Sequence, residues 1–402
     1  MQNIILYDTQ EDFVNLLPIT FTRPISGIRL GILTLREKWE RLLAGKYCVD
    51  TADFMSDVFP CEIKEGDDTL HVCSSVIPTK NLADAVASLR PGEKLTDGEG
   101  RTIAYRGNCG DGENDNSEKI TYAGEARRLK YVFDIFLNND YALKEDFRLL
   151  TQGRESAAPY TNNLILGDFT DADGVPQLFL EEGAEVEGAT LNLREGPIYV
   201  GKNARVMEGS CLRGGVALCE RAQVRMGAKI YGATTLGPYC KAGGELSNVV
   251  MLGYSNKSHD GYLGNAVIGE WCNIGAGVNA SNLKNDYSKI RIWNYMQKRF
   301  MRTDLQFCGL IMGDHSKAGV NCMFNTATVL GVGVNVYGSG FPRVFVPSFS
   351  EGSASSGFSD VSLTKFLDIA SRVMGRRDME ISEKKRAVYE HIYNYSQTHK
   401  IH

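Results

Sequence analysis

Residues 200–242 read VGKNARVMEGSCLRGGVALCERAQVRMGAKIYGATTLGPYCKA. Every sixth residue is aliphatic: Val200, Val206, Leu212, Leu218, Val224, Ile230, Leu236 and Ala242. With 43% hydrophobic residues in the chain, one phase would do this by chance about once in a thousand. Four residues after the first seven of these positions stand Ala204, Ser210, Val216, Ala222, Ala228, Thr234 and Cys240, all small. The frame returns at Ile268 and Ile274, and again at Met312, Ala318, Phe324, Leu330 and Val336. A period of six fits neither a helix nor a two-faced strand. It fits a short strand plus a turn, three of which close a coil of about 18 residues. The aliphatic residue points inward, the small one shares the crowded corner, and stacking buries a continuous apolar column. A β-sandwich, the competing architecture, predicts alternation at two and a turn every 8 to 12 residues or so.

Outward from this stretch the composition divides the chain. Roughly two thirds of the 42 glycines fall between residues 151 and 350. Three regions follow: an α/β domain over 1–150, a coil over 151–345 with its first turns near 176, and a helical segment over 360–402. The Gly- and Ser-rich stretch 341–360 reads as a linker. In the first region strand-helix alternation (NIILYD, LTLREKWERLLA, TLHVCSS, NLADAVASL, then helices from Ala126 to about Leu150) favours a parallel sheet. In the last, Leu363, Phe366, Leu367, Ala370, Val373 and Met374 share one helix face, and Val388, Tyr389, Ile392 and Tyr393 another. These helices are expected to cover the end of the coil. Lys+Arg total 44 against 49 Asp+Glu, a net charge of −5, which argues against nucleic acid as a partner. No apolar run approaches the ~18 residues of a membrane helix, and MQNIILYD lacks a basic leader, so a cytoplasmic location is expected. Ten cysteines without a Cys-x-x-Cys suit buried thiols, with neither a disulfide framework nor a metal site.

Two segments interrupt the repeat, 247–267 and 279–311, and interruptions map to loops that leave a coil. The first contains His259 among Lys257, Ser258, Asp260 and Gly261, and is followed by Tyr262-Leu263-Gly264-Asn265, Ile268-Gly269, Asn273-Ile274-Gly275-Ala276-Gly277 and Asn282. Taken alone, His259 is an ordinary solvated loop histidine. Its neighbourhood resembles, ungapped, the acetyltransferase half of the bifunctional N-acetylglucosamine-1-phosphate uridyltransferase and glucosamine-1-phosphate acetyltransferase family, with Asn265 in place of that family's Asp. The resemblance implies a left-handed parallel β-helix, a homotrimer with sites between subunits, and acetyl-CoA as co-substrate. It further implies His259 as general base and Glu245 as its orienting partner. Tyr262 and Asn273 would hold the sugar and its phosphate, and Asn282 would lie by the thioester; Arg225 and Lys257 are further substrate candidates, although Lys257 stands two residues before His259 where the family has its lysine three before. The chemistry suits the residue type, since a neutral imidazole can take a proton from an attacking amine at cytoplasmic pH. The second interruption carries Lys284, Lys289, Arg291, Lys298, Arg299 and Arg302, of which Lys284 and Arg291 are candidates for the coenzyme phosphates. A solvated charged face is the other reading. The sequence departs from the family at Met226, Ser247 and Leu283.

The N-terminal stretches NIILYDT, LLPITFTRP and IRLGILTLREKWE resemble a divergent branch of the same family, in which Thr22, Arg23 and Lys38 stand near the nucleotide end. Arg23 and Lys38 are therefore candidate phosphate ligands, with Mg possible beside them. The Gly-x-Gly-Thr-Arg loop of sugar nucleotidyltransferases is missing, Ser74-Ser75 stand where Asn-Gly-Arg is expected, and no aspartate pair for Mg stands out. The expectation is a nucleotidyltransferase-like α/β domain fused to a left-handed β-helix with C-terminal α-helices, acting as an acetyl-CoA-dependent N-acetyltransferase on an amino-sugar phosphate. Two alternatives accompany it: a sugar-1-phosphate nucleotidyltransferase whose coil serves assembly, and a non-catalytic trimeric scaffold.

Overall fold

Ile4, Ile5 and Leu6 are all buried, as a strand covered on both faces requires. Ile4 and Leu6 join one apolar cluster, while Ile5 meets Cys48 and Ile63 in another. This strand, β1 (Asn3–Tyr7), pairs in parallel with β2 (Lys46–Asp50) and β3 (Leu70–Cys73). Beyond β3 the sheet continues through β5 (Thr102–Arg106), β4 (Glu93–Thr96) and β6 (Glu118–Thr121), in the order β2-β1-β3-β5-β4-β6. β5 runs antiparallel to both of its neighbours. The sheet is thus mixed, a correction to the expected parallel one, because β4 and β5 are joined by a tight turn over residues 97–101 without a crossover helix. Helices α1 (Gln10–Asn15), α2 (Leu35–Leu42) and α3 (Lys80–Ala87) accompany it. Thr34 and Glu37 form a reciprocal capping box at the start of α2, which turns Trp39, fully buried, into the apolar cluster.

The computed structural model describes residues 2–64, 66, 68–107 and 117–398. It divides into two compact units, Met1–Ile28 with Leu33–Asp134, and Arg29–Ile32 with Ile135–His402. The helix α4 (Asn139–Thr151) belongs to the second unit. Cys48 and Cys61 form a disulfide, which corrects the reading of every cysteine as a free thiol. Cys211 is exposed while the remaining free cysteines that are described are buried, and Cys109 lies outside the described residues.

The second unit is a three-faced parallel coil. Val200 lies beside Leu218, 18 residues on, and Leu218 beside Leu236; Val206, Val224 and Ala242 repeat the step on a second face, and Leu212 and Ile230 on a third. The inward residues of all three faces form one buried column running from Leu178 to Val346. Coiling starts earlier than expected, with Leu164–Leu166 paired to Thr190–Asn192. It also ends later: Phe345–Val346 and Ser350–Ser353 extend the first and second faces. The expected linker 341–360 is therefore structured: Phe345–Val346 and Ser350–Ser353 belong to the coil, and Gly357–Asp360 folds back antiparallel on Ser350–Ser353. Ser348 is bonded within it, its hydroxyl accepting from the buried Val332 amide at 2.9 Å.

The first interruption is not a loop. Two nine-residue strands, Glu245–Gly253 and Tyr262–Glu270, each turn a corner between the third and first faces. The corners are Asn248 and Asn265, both with positive φ, which Asn tolerates better than most residues. Inward residues continue as Leu246, Met251, Leu263 and Ile268, but the turns shorten: Met251 follows Leu236 after 15 residues and Ile268 follows Met251 after 17. The six-residue count fails there although the coil does not. The second interruption does leave the coil, as an antiparallel hairpin of Arg291–Asn294 and Arg299–Arg302, folded back so that Trp293 stacks on Phe345 at 4.3 Å. Two helices close the unit, α5 (Leu363–Gly375) and α6 (Glu383–Thr398). α5 is capped by Ser362 and buries Phe366, Leu367, Ala370 and Met374.

Candidate functional site

In the first unit polar side chains gather where the parallel strands end. Tyr7 lies between Asp50 and Cys73 in the sheet register, so the next residues, Asp8, Thr51 and Ser74, meet at one edge. The strand order β2-β1-β3 places that edge at a switch point, where the connections leaving β1 and β3 run to opposite sides and ligands of α/β sheets bind. Asp8 Oδ2 accepts hydrogen bonds from Thr51 Oγ1 at 2.7 Å and from the Ile25 amide at 3.1 Å. Its other oxygen is cut off from solvent. Burial, with repulsion from Asp50 added, outweighs the hydroxyls of Thr51 and Ser74 and pushes the Asp8 carboxyl up to about 6. Beside it, buried Asp12 accepts from Ser75 Oγ at 2.7 Å.

The candidate phosphate ligands stand on segments around Ile25, whose amide bonds Asp8. Ile25 opens the short turn Ile25–Gly27, against which α2 packs. Arg23 stands two residues before that turn with Nη1 donating to the Ile19 carbonyl at 2.9 Å, and Lys38 lies on α2. Both are almost fully buried, so each forms part of the wall and is not a waving surface cation. Asp8, Asp12, Thr51 and Ser74 were missed as candidates. The available signal was positional, an aspartate directly after the first buried strand.

On the coil, a cleft of about 490 Å³ lies against the second face, between the strands and the end of α5. His259 and Asn273 both line it, and both are exposed. Lys257 does not. It occupies the inward slot paired with Ala242, is fully buried, and donates from Nζ to the carbonyls of His259, Asp260 (3.1 Å) and Gly243 (3.4 Å). Burial holds its ammonium down at about 8. The expected sugar ligand is thus an internal brace for the His259 corner. Arg225 is half-buried and close enough to Lys241 to disfavour its charge.

The other candidates assemble on the third face. Glu245 accepts from Tyr231 Oη at 2.6 Å and neighbours Tyr262 in the register. Asn282 Nδ2 donates to Tyr262 Oη at 3.0 Å and to Asn265 Oδ1 at 2.7 Å. Within one chain, then, His259 and Asn273 share a cleft while Glu245, Tyr262 and Asn282 share a neighbouring face. Lys284 and Arg291 belong to neither group: Lys284 Nζ bonds Ser288 Oγ and the Lys289 carbonyl within its own loop, and Arg291 is exposed on the hairpin.

The cations that do line the cleft are Lys241, Lys317, Arg376 and Arg377, none of them foreseen. Two were legible. One residue before each inward position of the second face runs an outward column, Gln223, Lys241, Asn256, Asn273, Lys317 and Asn335. Arg376 and Arg377 carried no signal, since the docking of α5 on the coil is tertiary.

Among known proteins, residues 4–155 match a family model described as sugar nucleotidyl transferase. The N-terminal region is accordingly nucleotidyltransferase-like. No curated protein matches the chain.

Proposed function

We propose that the N-terminal region transfers a nucleotidyl group to a sugar 1-phosphate. The observation that carries this is the family match over residues 4–155, and the polar edge at the switch point of the sheet supports it. A phosphate oxygen of the sugar 1-phosphate attacks the α-phosphorus of a nucleoside triphosphate; the new P–O bond forms as the α–β anhydride breaks and pyrophosphate leaves. The attacking oxygen is already ionised at neutral pH, so catalysis consists of positioning and charge stabilisation. Arg23 and Lys38 are the cations assigned to the phosphates, and Asp8, with its bonded Thr51, fixes the floor of the crevice. Among the described residues no three His, Cys, Asp or Glu side chains come together as a metal site; Mg2+ in such reactions is held by the substrate phosphates with one or two carboxylates. The test is pyrophosphate release with each nucleoside triphosphate and a panel of sugar 1-phosphates, compared with Arg23→Ala.

A second activity, acetyl transfer from acetyl-CoA to an amino-sugar phosphate, is favoured by one observation: His259 and Asn273 share the cleft. In this reading the coil is left-handed, and three chains assemble so that Glu245, Tyr262 and Asn282 of one face a neighbour's His259. Thiol release from acetyl-CoA with glucosamine 1-phosphate, lost in His259→Ala with the assembly intact, tests it.

A further inference from the structure

The cleft on the second face of the coil has a one-sided electrostatic character. Its lining includes the side chains of Lys241, Lys317, Arg376 and Arg377 and no Asp or Glu. Among the described residues none of these four cations has a carboxylate within 4.0 Å. Some outward cations of the coil are paired, as Arg205 is with Glu185 at 2.6 Å and Arg213 with Glu195 at 2.6 Å; the four in the cleft are not. Burial, together with the guanidinium groups of Arg377, Arg225 and Arg376, holds the Lys241 ammonium below its ordinary pKa, the expected consequence of like charges gathered without a counter-charge.

The arrangement is also built. Lys317 Nζ is fixed by the His315 carbonyl at 2.8 Å, and the His315 ring bonds Tyr389 Oη at 2.9 Å, so α6 and the coil together set where this cation stands. The C-terminus of a helix favours basic residues through its dipole, which accounts for two arginines at the end of α5 but not for their facing Lys241 across a cleft. Asn256, Asn273 and Ser258 add neutral polar groups to the same lining.

We propose that this cleft is a binding site for a phosphate ester, with the end of α5 supplying Arg376 and Arg377 as one jaw and the coil supplying Lys241 and Lys317 as the other. A dianionic phosphate accepts charge-assisted hydrogen bonds from several cations at once, and the volume of about 490 Å³ is that of a small-molecule site. A sugar phosphate and the phosphates of coenzyme A share this chemistry. The site is independent of nucleotidyl transfer in the N-terminal region and makes the C-terminal helices part of a ligand site in addition to a cover.

The test is calorimetric titration of the full chain with inorganic phosphate, glucosamine 1-phosphate and coenzyme A, each in turn. The wild type should bind at least one probe saturably. The double variant Arg376→Gln/Arg377→Gln should bind at least tenfold more weakly, and Arg386→Gln, on the exposed side of α6, should bind like wild type. Preference for glucosamine 1-phosphate over inorganic phosphate identifies a sugar phosphate, and preference for coenzyme A identifies the coenzyme; either supports the site. Lys241→Gln, with an unchanged thermal transition, repeats the loss without touching α5. Absence of saturable binding of all three probes, or binding that the double variant leaves unchanged, overturns the proposal. Failure of pyrophosphate release bears on the N-terminal reading alone.

Discussion

At the scale of single residues the chain keeps two charges where burial penalises them. Asp8 has its carboxyl raised from 3.8 to about 6, so folding favours the protonated form. The ionised form therefore costs stability: nothing below the unfolded value, progressively more between pH 3.8 and 6, and fully above that. The shift corresponds to about 3 kcal/mol. Asp8→Asn should accordingly raise the unfolding free energy of the first unit, read by urea denaturation at pH 7.5, by up to about 3 kcal/mol, and leave it nearly unchanged at pH 4. Pyrophosphate release should fall in the same variant, as expected where function retains a destabilising group. Lys257 is the second case. Its Nζ braces the carbonyls of His259 and Asp260, and Lys257→Met fills the apolar column but leaves those carbonyls without their donor. Hydrogen exchange at residues 258–261 should quicken in that variant, while strands three turns away keep their protection.

At the scale of elements, the repeat was legible because nearly every inward position of the coil is aliphatic at a fixed spacing. Val200 through Ala242 could be read inward from their spacing alone, and the structure buries each of them. Legibility failed where geometry was local: the shortened turns at Met251 and Ile268 broke the count, and a lysine stood in the aliphatic column at residue 257. The serines of 348–353 read as linker because composition does not distinguish a flexible serine from one bonded within a corner. Elements also set the cost of substitution. Leu236→Ala removes a fully buried side chain and should cost about 2–5 kcal/mol, read by thermal or urea unfolding. Gly261 has φ near +120°, and a Cβ there would stand 2.0 Å from the Val278 carbonyl oxygen. Gly261→Ala should therefore displace the His259 corner and cost more than about 2 kcal/mol.

At the scale of the molecule, the candidate site was only partly legible. Resemblance put His259 and Asn273 in one neighbourhood, and both line the cleft; Lys257 points inward, and Lys284 and Arg291, chosen for their charge, stand away from the cleft. What the sequence could not supply was tertiary, namely which helix end faces which column of the coil. In the proposed acetyl-transfer reading, Glu245, Tyr262 and Asn282 of one chain face a neighbour's His259, so that reading requires assembly. Light scattering should give three times the chain mass of 44.4 kDa, and a monomer would remove the proposed acetyl-transfer geometry. No helix among the described residues is long and apolar enough to cross a membrane. The central claim rests on the N-terminal region, and its most direct test is pyrophosphate release by the purified chain. Release that requires a nucleoside triphosphate and a sugar 1-phosphate together, and that collapses in Asp8→Asn while the fold is retained, is the predicted result. No release with any pairing of the two substrates, from a chain shown to be folded, would contradict it.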